Sequence, residues 1–450
     1  MTTSPYEFDR ELNAAVAMDL ADPMREFRGE FALPSAGEIA RTVGAALPAS
    51  EASRAAIYLV GNSLGAQPKS ARVAVEQELD DWARLGVEGH LHGKHPWYPY
   101  HEFVREGLSM IAGASAREVV AMNSLTTNLH LLMVSFYRPT RERFKIVFED
   151  SAFPSDSYAI QSQLEFHARH SGFDAKAGSV RLKPRAGEAT LRTEDILDRI
   201  DREKDSIAMV MLGGVNYLTG QRFDMETITR FARERGIVVG WDLAHAAGNV
   251  PLRLHDWGAD FAAWCSYKYL NSGPGAVAGA FVHERHLADQ SLVRFAGWWG
   301  NDPTTRFAMT PDFVPVQSAD AWQLSNPPIL ALAPLRASLE IFKRAGVDRR
   351  WAKAQKLTAF LRYLVGEIEG RPLEVTTPED PEQRGSQLSL RLKHAGGGAG
   401  RALHQELLAR GVVCDFREPD VLRAAPVPLY TTYEDVWRFV DQLREILTRK

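Results

Sequence analysis

The chain has 450 residues, a formal net charge of -4, 45% hydrophobic and 24% charged residues, an ordinary globular balance with length enough for two domains. No basic excess points to nucleic acid, no window approaches eighteen apolar residues, and the first ten residues lack a basic region followed by an apolar core, so a cytoplasmic protein without a membrane span is expected. The two cysteines, Cys265 and Cys414, are too few for a disulfide framework or a cysteine-rich zinc site.

The first sixty residues read as an arm. Residues 7–30 are helix-prone and charged, Leu33-Pro34-Ser35 breaks that pattern, and Ile57-Tyr58-Leu59-Val60 is a short strand. A helix is expected over 69–85, carrying Glu76, Glu78, Asp80 and Asp81. The run from His90 to Trp97 is too rich in glycine and proline for regular structure. Its histidines lack helical i, i+4 spacing and a pair of carboxylates, so they read as loop contacts, and no metal is expected.

From about residue 102 helices and strands alternate. A helix over 126–137 has Ser124, Thr126 and Thr127 as candidate caps. Strands are expected over 144–148, 206–212, 237–241 and 260–265, with a helix from Ser155 and another over 224–235 capped by Asp224. Such alternation gives an α/β fold, a mostly parallel (mixed) central sheet covered by helices. After Gly275 the character changes. Residues 298–328 are irregular and aromatic, a long helix runs over 329–345, and a strand over 387–392, a helix over 400–410 and a strand over 412–416 make a smaller C-terminal α+β domain. The expected division is an arm over 1–60 contributing to the small domain, a large domain over 61–310 and a small α+β domain over 311–450. The glycines at 273, 275 and 279 lack the helix and the later acidic residue of a dinucleotide fingerprint, and Gly396 to Gly400 reads as a flexible turn.

The chemistry concentrates at two strand ends. Asp242 closes one apolar strand and Lys268 lies just past the next, and in an open parallel sheet such ends line the ligand crevice. A lysine is most often a solvated surface charge. Here Trp264, Cys265, Tyr267, Tyr269 and Leu270 surround it, and a partly desolvated amine is a good nucleophile and base. A carboxylate and an amine in one crevice suit pyridoxal phosphate, the amine bonding the aldehyde and the carboxylate keeping the pyridine nitrogen protonated. Ser124 to Asn128 opens a helix whose amides and hydroxyls could seat a phosphate, with Ser266 and Tyr267 as a second contribution. Phe153, between a strand and a helix, is placed to cover a ring, although it could equally be a packing residue.

The strings Gly61-Asn62-Ser63-Leu64-Gly65, Met122-Asn123-Ser124-Leu125-Thr126-Thr127-Asn128-Leu129-His130, Phe153-Pro154-Ser155-Asp156, Asp242-Leu243-Ala244-His245, Ser266-Tyr267-Lys268-Tyr269-Leu270-Asn271, Ser325-Asn326-Pro327-Pro328-Ile329 and Arg423-Ala424-Ala425-Pro426-Val427-Pro428-Leu429-Tyr430 resemble kynureninases, from about residue 55 onward. The resemblance implies the aspartate aminotransferase fold, pyridoxal 5'-phosphate, and hydrolysis of L-kynurenine or 3-hydroxy-L-kynurenine to L-alanine and an anthranilate, in tryptophan catabolism and NAD biosynthesis. It implies that Lys268 bonds the cofactor, Asp242 pairs with its ring nitrogen and Phe153 stacks on it. Leu125, Thr126, Asp156, His245 and Tyr267 would complete the cofactor contacts, and Tyr267 is a candidate proton donor from its place beside the lysine. Trp298 and Asn326 match cofactor or substrate positions that can come from the partner subunit of a homodimer with active sites at its interface. Arg423 would hold the substrate α-carboxylate. Ser63 and His90 match substrate-pocket positions, and His90 with Ser325 and Asn326 favours acceptance of the 3-hydroxy substrate. Gly213 departs from the pattern, standing where some members place a serine near the cofactor. The alternative is a related class V aminotransferase or cysteine desulfurase-like enzyme, the latter needing a mobile nucleophilic cysteine.

Overall fold

The computed structural model describes residues 6–393 and 398–448; of the glycine-rich turn, Gly396 and Gly397 lie outside the described residues. The chain divides into two compact units, a larger one of residues 71–217 and 223–340 and a smaller one of residues up to 70, 218–222 and from 341 onward. These boundaries fall later than the expected 60/61 and 310/311. Two packing facts account for the shift. Phe31–Ala32 pairs with Gln67–Pro68, which keeps the stretch beyond residue 60 with the smaller unit. Ala319, Ala321 and Trp322 belong to the core under the large sheet, and Ser338 Oγ donates to the Leu270 carbonyl at 2.7 Å, which keeps 311–340 with the larger.

Seven strands form the central sheet: β1 (Val119–Ala121), β2 (Lys145–Glu149), β3 (Ser179–Leu182), β4 (Ile207–Gly213), β5 (Val238–Asp242), β6 (Phe261–Trp264) and β7 (Gly279–Val282), in the spatial order β1-β7-β6-β5-β4-β2-β3. From β3 across to β6 all neighbours run parallel, and β7 is antiparallel to both β6 and β1. The mixed sheet is as expected. Strands β4 and β6 are apolar along their whole length because both faces are covered. One cover is helix α1 (Leu125–Phe136), whose Phe136 ring stacks on Phe261 with centroids 5.1 Å apart, and α2 (Pro154–Ser171) packs beside it. Trp322 enters the same core and satisfies its indole N–H on Ser135 Oγ at 2.9 Å.

In the smaller unit, β8 (Leu373–Val375), β9 (Leu388–Leu392), β10 (Asp415–Arg417) and β11 (Val421–Ala424) make an antiparallel sheet in the order β8-β9-β11-β10. Ile57–Tyr58 pairs in parallel with Val412–Val413, so the arm's strand is part of this unit. Leu357, Phe360, Leu361, Leu364 and Phe439 fill its core from two long helices, Val347–Gly366 and Tyr433–Thr448. No helix among the described residues is long and apolar enough to cross a membrane.

Three local expectations change. The helix expected over 7–30 is confined to Leu12–Leu20, followed by a 3-10 turn over Arg25–Glu30. Asp22 ends it, accepting the Met24 N–H at 2.9 Å and pairing with the buried Lys353 at 2.7 Å. The run after residue 88 opens with a helical turn, Gly89–His92, because Trp97 folds back on it. The Trp97 and Tyr98 amides donate to the Gly89 and His90 carbonyls at 3.3 and 3.1 Å, and the indole lies where a side chain at 89 would stand. The strand expected over 412–416 breaks at Cys414 into Val412–Val413 and β10.

Gly240 governs the spacing of β5 and β6. A Cβ there would lie 2.2 Å from the Phe261 ring, so only glycine lets that ring cross the strand that ends in Asp242. Gly240→Ala should therefore destabilise the fold by about 1–3 kcal/mol through overpacking. A thermal melt with an unchanged midpoint would show that Phe261 moves aside without cost.

Candidate active site

Glu149, Gly213 and Asp242 are the last residues of β2, β4 and β5, three strands that lie side by side, so their side-chain positions share one edge of the sheet. Asp242 is buried and accepts the Ala244 amide at 2.7 Å. It is also joined by a side-chain hydrogen bond to Asp156, in the first turn of α2. Two carboxyls can bond in this way only if a proton lies between them. Burial, and then the negative charge of Asp242, push Asp156 well above the usual carboxylate range. Burial raises Asp242 too, against the hydrogen bond from Asp156, the Ala244 amide and the charge of Lys268. The pair titrates as a unit, with Asp156 holding the proton and Asp242 the charge.

Lys268 follows β6, and its Nζ lies 3.1 Å from Nε2 of the buried His245, three residues past Asp242. The same Nζ is 5.9 Å from the centre of the Phe153 ring and 5.9 Å from that of Tyr267. Phe153 is the N-cap of α2, its residue 41% exposed, and its ring stands edge-on to Tyr217 at 5.2 Å. Burial pushes the Tyr267 phenol well above its ordinary range, so it stays a proton-bearing group through neutral pH. Thr126 Oγ1 and Ser155 Oγ are 2.7 Å apart, which ties the N-termini of α1 and α2 together beside Asp156. Ser124 takes the N-cap of α1, yet its hydroxyl meets Thr127 Oγ1 at 3.1 Å and caps no helix amide. The first turn therefore keeps amide donors that suit an anion. Phe153, Asp156, Asp242, His245, Tyr267 and Lys268 are thus linked, with Leu125 and Thr126 at the adjoining helix start.

Other expected residues stand apart. Ser266 is fully buried, donates to the Val277 carbonyl and accepts from Ser272 at 2.6 Å, so its hydroxyl is committed to the loop and not to a phosphate. Trp298 is partly exposed and donates to the Arg306 carbonyl at 3.2 Å, while Ser325 and Asn326 are exposed ahead of the helix Ile329–Ala345. His90 Nδ1 is 2.9 Å from the Val87 carbonyl, with its ring edge-on to Trp97. No hydrogen bond or ring contact among the described residues joins these four to Lys268. Ser63 and Arg423 belong to the smaller unit. Ser63 sits in a turn, its amide donating to Val60 at 2.8 Å, and Arg423 is buried on β11, paired with Asp415 directly opposite on β10.

Glu149 was not anticipated from sequence. It accepts the Gly213 N–H on both oxygens at 3.3 Å, and burial, with the charge of Asp242 adding, pushes its carboxyl up to about 7. The signal was an acid closing an apolar strand, the same one that marked Asp242.

The kynureninase C-terminal domain model matches residues 351–443. A kynureninase of Koribacter versatilis is 54% identical over 435 residues, 97% of each chain. One of Salinispora tropica is 57% identical over 390 residues, covering 86% of this chain and 89% of its own. The chain belongs to the kynureninase family. Among solved structures, a cysteine desulfurase from Escherichia coli superposes with a TM-score of 0.71 at 18% identity, covering 94% of this chain and 98% of its own. Another, from Thermococcus onnurineus, gives 0.70 at 17%, covering 87% and 94%. These likenesses establish a shared fold.

This kynureninase-family chain has no thiol suited to desulfurase chemistry. Cys265 and Cys414 are both buried; burial raises the Cys265 thiol, and the Cys414 thiol is pushed up to about 12. Neither should react with a thiol reagent in the native protein at neutral pH, and both should after denaturation. A cysteine labelled rapidly in the folded state would contradict this.

Proposed function

We propose that the protein hydrolyses the Cβ–Cγ bond of L-kynurenine or 3-hydroxy-L-kynurenine, releasing L-alanine and anthranilate or 3-hydroxyanthranilate, with pyridoxal 5'-phosphate as cofactor. The observation that carries this reading is the linkage of Lys268, His245, Asp242, Asp156 and Phe153 in a chain whose relatives at about half identity, over almost their whole length, are kynureninases. The donor set fits the cofactor. Lys268 offers an amine for the aldehyde, Asp242 an anion for the ring nitrogen, Phe153 a ring face, and the start of α1 with Thr126 a phosphate seat.

When bound, pyridoxal phosphate supplies an electron-accepting ring conjugated to the substrate's amino group. Lys268, as a free amine, would take the Cα proton as a base, and His245 at 3.1 Å would share it. Asp242 would hold the protonated ring nitrogen through its charge, which Asp156, keeping the proton of the pair, leaves on Asp242. Phe153 would cover the face of the ring, and Tyr267, protonated at neutral pH, would serve as the proton donor to the substrate. Arg423 is assigned to the substrate α-carboxylate, with Asp415 holding its guanidinium in place. Ser63, His90, Ser325 and Asn326 are assigned to the substrate pocket, and Trp298 with Asn326 to a homodimer in which the partner contributes to each site. A cytoplasmic setting accords with two free, buried thiols.

Incubation with each ketone, following anthranilate fluorescence and alanine, tests the reading. Cleavage is expected, and Lys268→Ala should lower turnover by about 10²–10⁴-fold or more and release the covalently held cofactor. Failure to cleave either ketone, together with amino transfer to a keto acid, would mean an aminotransferase. His90→Phe should lower kcat/KM for the 3-hydroxy substrate more than for kynurenine, and an unchanged ratio takes His90 out of ring recognition.

A further inference from the structure

Three carboxyl groups, not two, gather at this edge of the sheet. Glu149 closes β2 and Asp242 closes β5, and between them lies β4, whose last residue, Gly213, pairs in register with Asp242. The Glu149 side chain is buried, with the Gly213 amide donating to both oxygens at 3.3 Å and the Asn216 side chain as a further donor. A Cβ at Gly213 would stand 2.9 Å from Glu149 Oε1, so the glycine is what leaves this carboxyl its position. The departure at 213 and the buried acid are therefore one feature.

The charged groups acting here are few. Asp242 raises the proton affinity of Glu149, Asp242 and Glu149 both raise that of Asp156, and Lys268 opposes them at Asp156 and Asp242. With Asp156 keeping its proton, Glu149, pushed up to about 7 by burial, is the one of these three carboxyls that can change charge near neutral pH. An anion there draws protons towards the pocket, whereas a neutral acid does not.

We propose that Glu149 is a positioning residue of the cofactor pocket: by binding or releasing one proton it sets the negative charge standing behind Asp242, and so how tightly protons are held on the cofactor. The inference rests on the pyridoxal phosphate reading of the site and deepens it. Glu149 acts through Asp242, with the proton exchanged with solvent and no bond to the cofactor formed or broken. Gly213 keeps the carboxyl where it can act.

The test is a pH titration of the holoenzyme's visible absorbance in the wild type, Glu149→Gln and Glu149→Asp. Above neutrality the wild-type carboxylate stabilises the protonated cofactor. Removing it in E149Q should move the absorbance midpoint down by about one pH unit, and E149D, which keeps a titratable carboxyl, should restore most of the shift. A cofactor-bound E149Q with the wild-type midpoint overturns the proposal. If E149Q does not retain cofactor, Gly213→Ala decides. Its methyl displaces Glu149 Oε1 while adding and removing no charged group, so a shifted midpoint supports the proposal and an unshifted one overturns it. A wild-type protein that takes up no pyridoxal phosphate at all would bring down the cofactor reading along with this one, an outcome distinct from a coloured enzyme with an unmoved midpoint.

Discussion

The structure depends on keeping several acidic groups out of water at one edge of a parallel sheet. A buried carboxylate is costly unless it is paired or hydrogen-bonded. Here the cost is met by a proton between Asp156 and Asp242, by amides from Ala244 and Gly213, and by the charge of Lys268. Each device needs a backbone element in a fixed place. Asp156 must start a helix soon after β2 ends, Gly213 must lie between two acids, and Lys268 must follow β6. The apolar core under the sheet, with Phe136 on Phe261 and Trp322 bonded to Ser135, holds those strand ends at their spacing.

Much of this is legible in the sequence, for a physical reason. A strand buried on both faces has to be apolar, so an acid or lysine at its end stands out, and Asp242 and Lys268 stood out in that way. The mixed sheet followed from the helix–strand alternation. Glu149 was missed because Lys145-Ile146-Val147-Phe148 reads as complete one residue early, and an acid beside Asp150 looks like the start of a solvated loop. The edge strands β1 and β3, and β7 beside β1, were missed too, being only three or four residues long. The helix Val347–Gly366 opens with Asp348, Arg349 and Arg350, a charged start that hides the apolar face formed by Leu357, Phe360, Leu361 and Leu364. Ser266 misled for the opposite reason. A hydroxyl beside a reactive lysine suggests a ligand, but this one is spent on closing its own loop onto Val277.

Sharing a fold with desulfurases leaves the chemistry open, since one scaffold supports many reactions. What separates the reactions is the further side chain available to act on the substrate. A desulfurase uses a thiolate on a mobile segment, whereas both thiols here are sealed into the fold with their proton affinity raised. Tyr267 and His245, by contrast, flank the lysine directly. Proton transfer, and not sulfur transfer, is what this pocket is equipped for.

The histidine-bearing loop follows the same rule as the sheet edge. Glu78 and Asp81 belong to the acidic cluster carried by the helix Lys69–Leu85, yet both are buried. Glu78 accepts the Trp97 indole N–H and the Tyr100 hydroxyl at 2.9 Å each, with Arg336 at 3.7 Å and His95 at 3.5 Å, and Asp81 accepts the Lys94 amide at 2.9 Å. Residues 94–100 are thus folded over two acids instead of over an apolar core. Trp97, held in this way, is what His90 packs against. A loop shaped by hydrogen bonds to buried carboxylates gives up more energy on distortion than one shaped by hydrophobic contact, because each broken bond strands a charge. The position of His90 is in that sense fixed from the helix behind it, and a substitution at Glu78 would reach the loop without touching any residue on its surface.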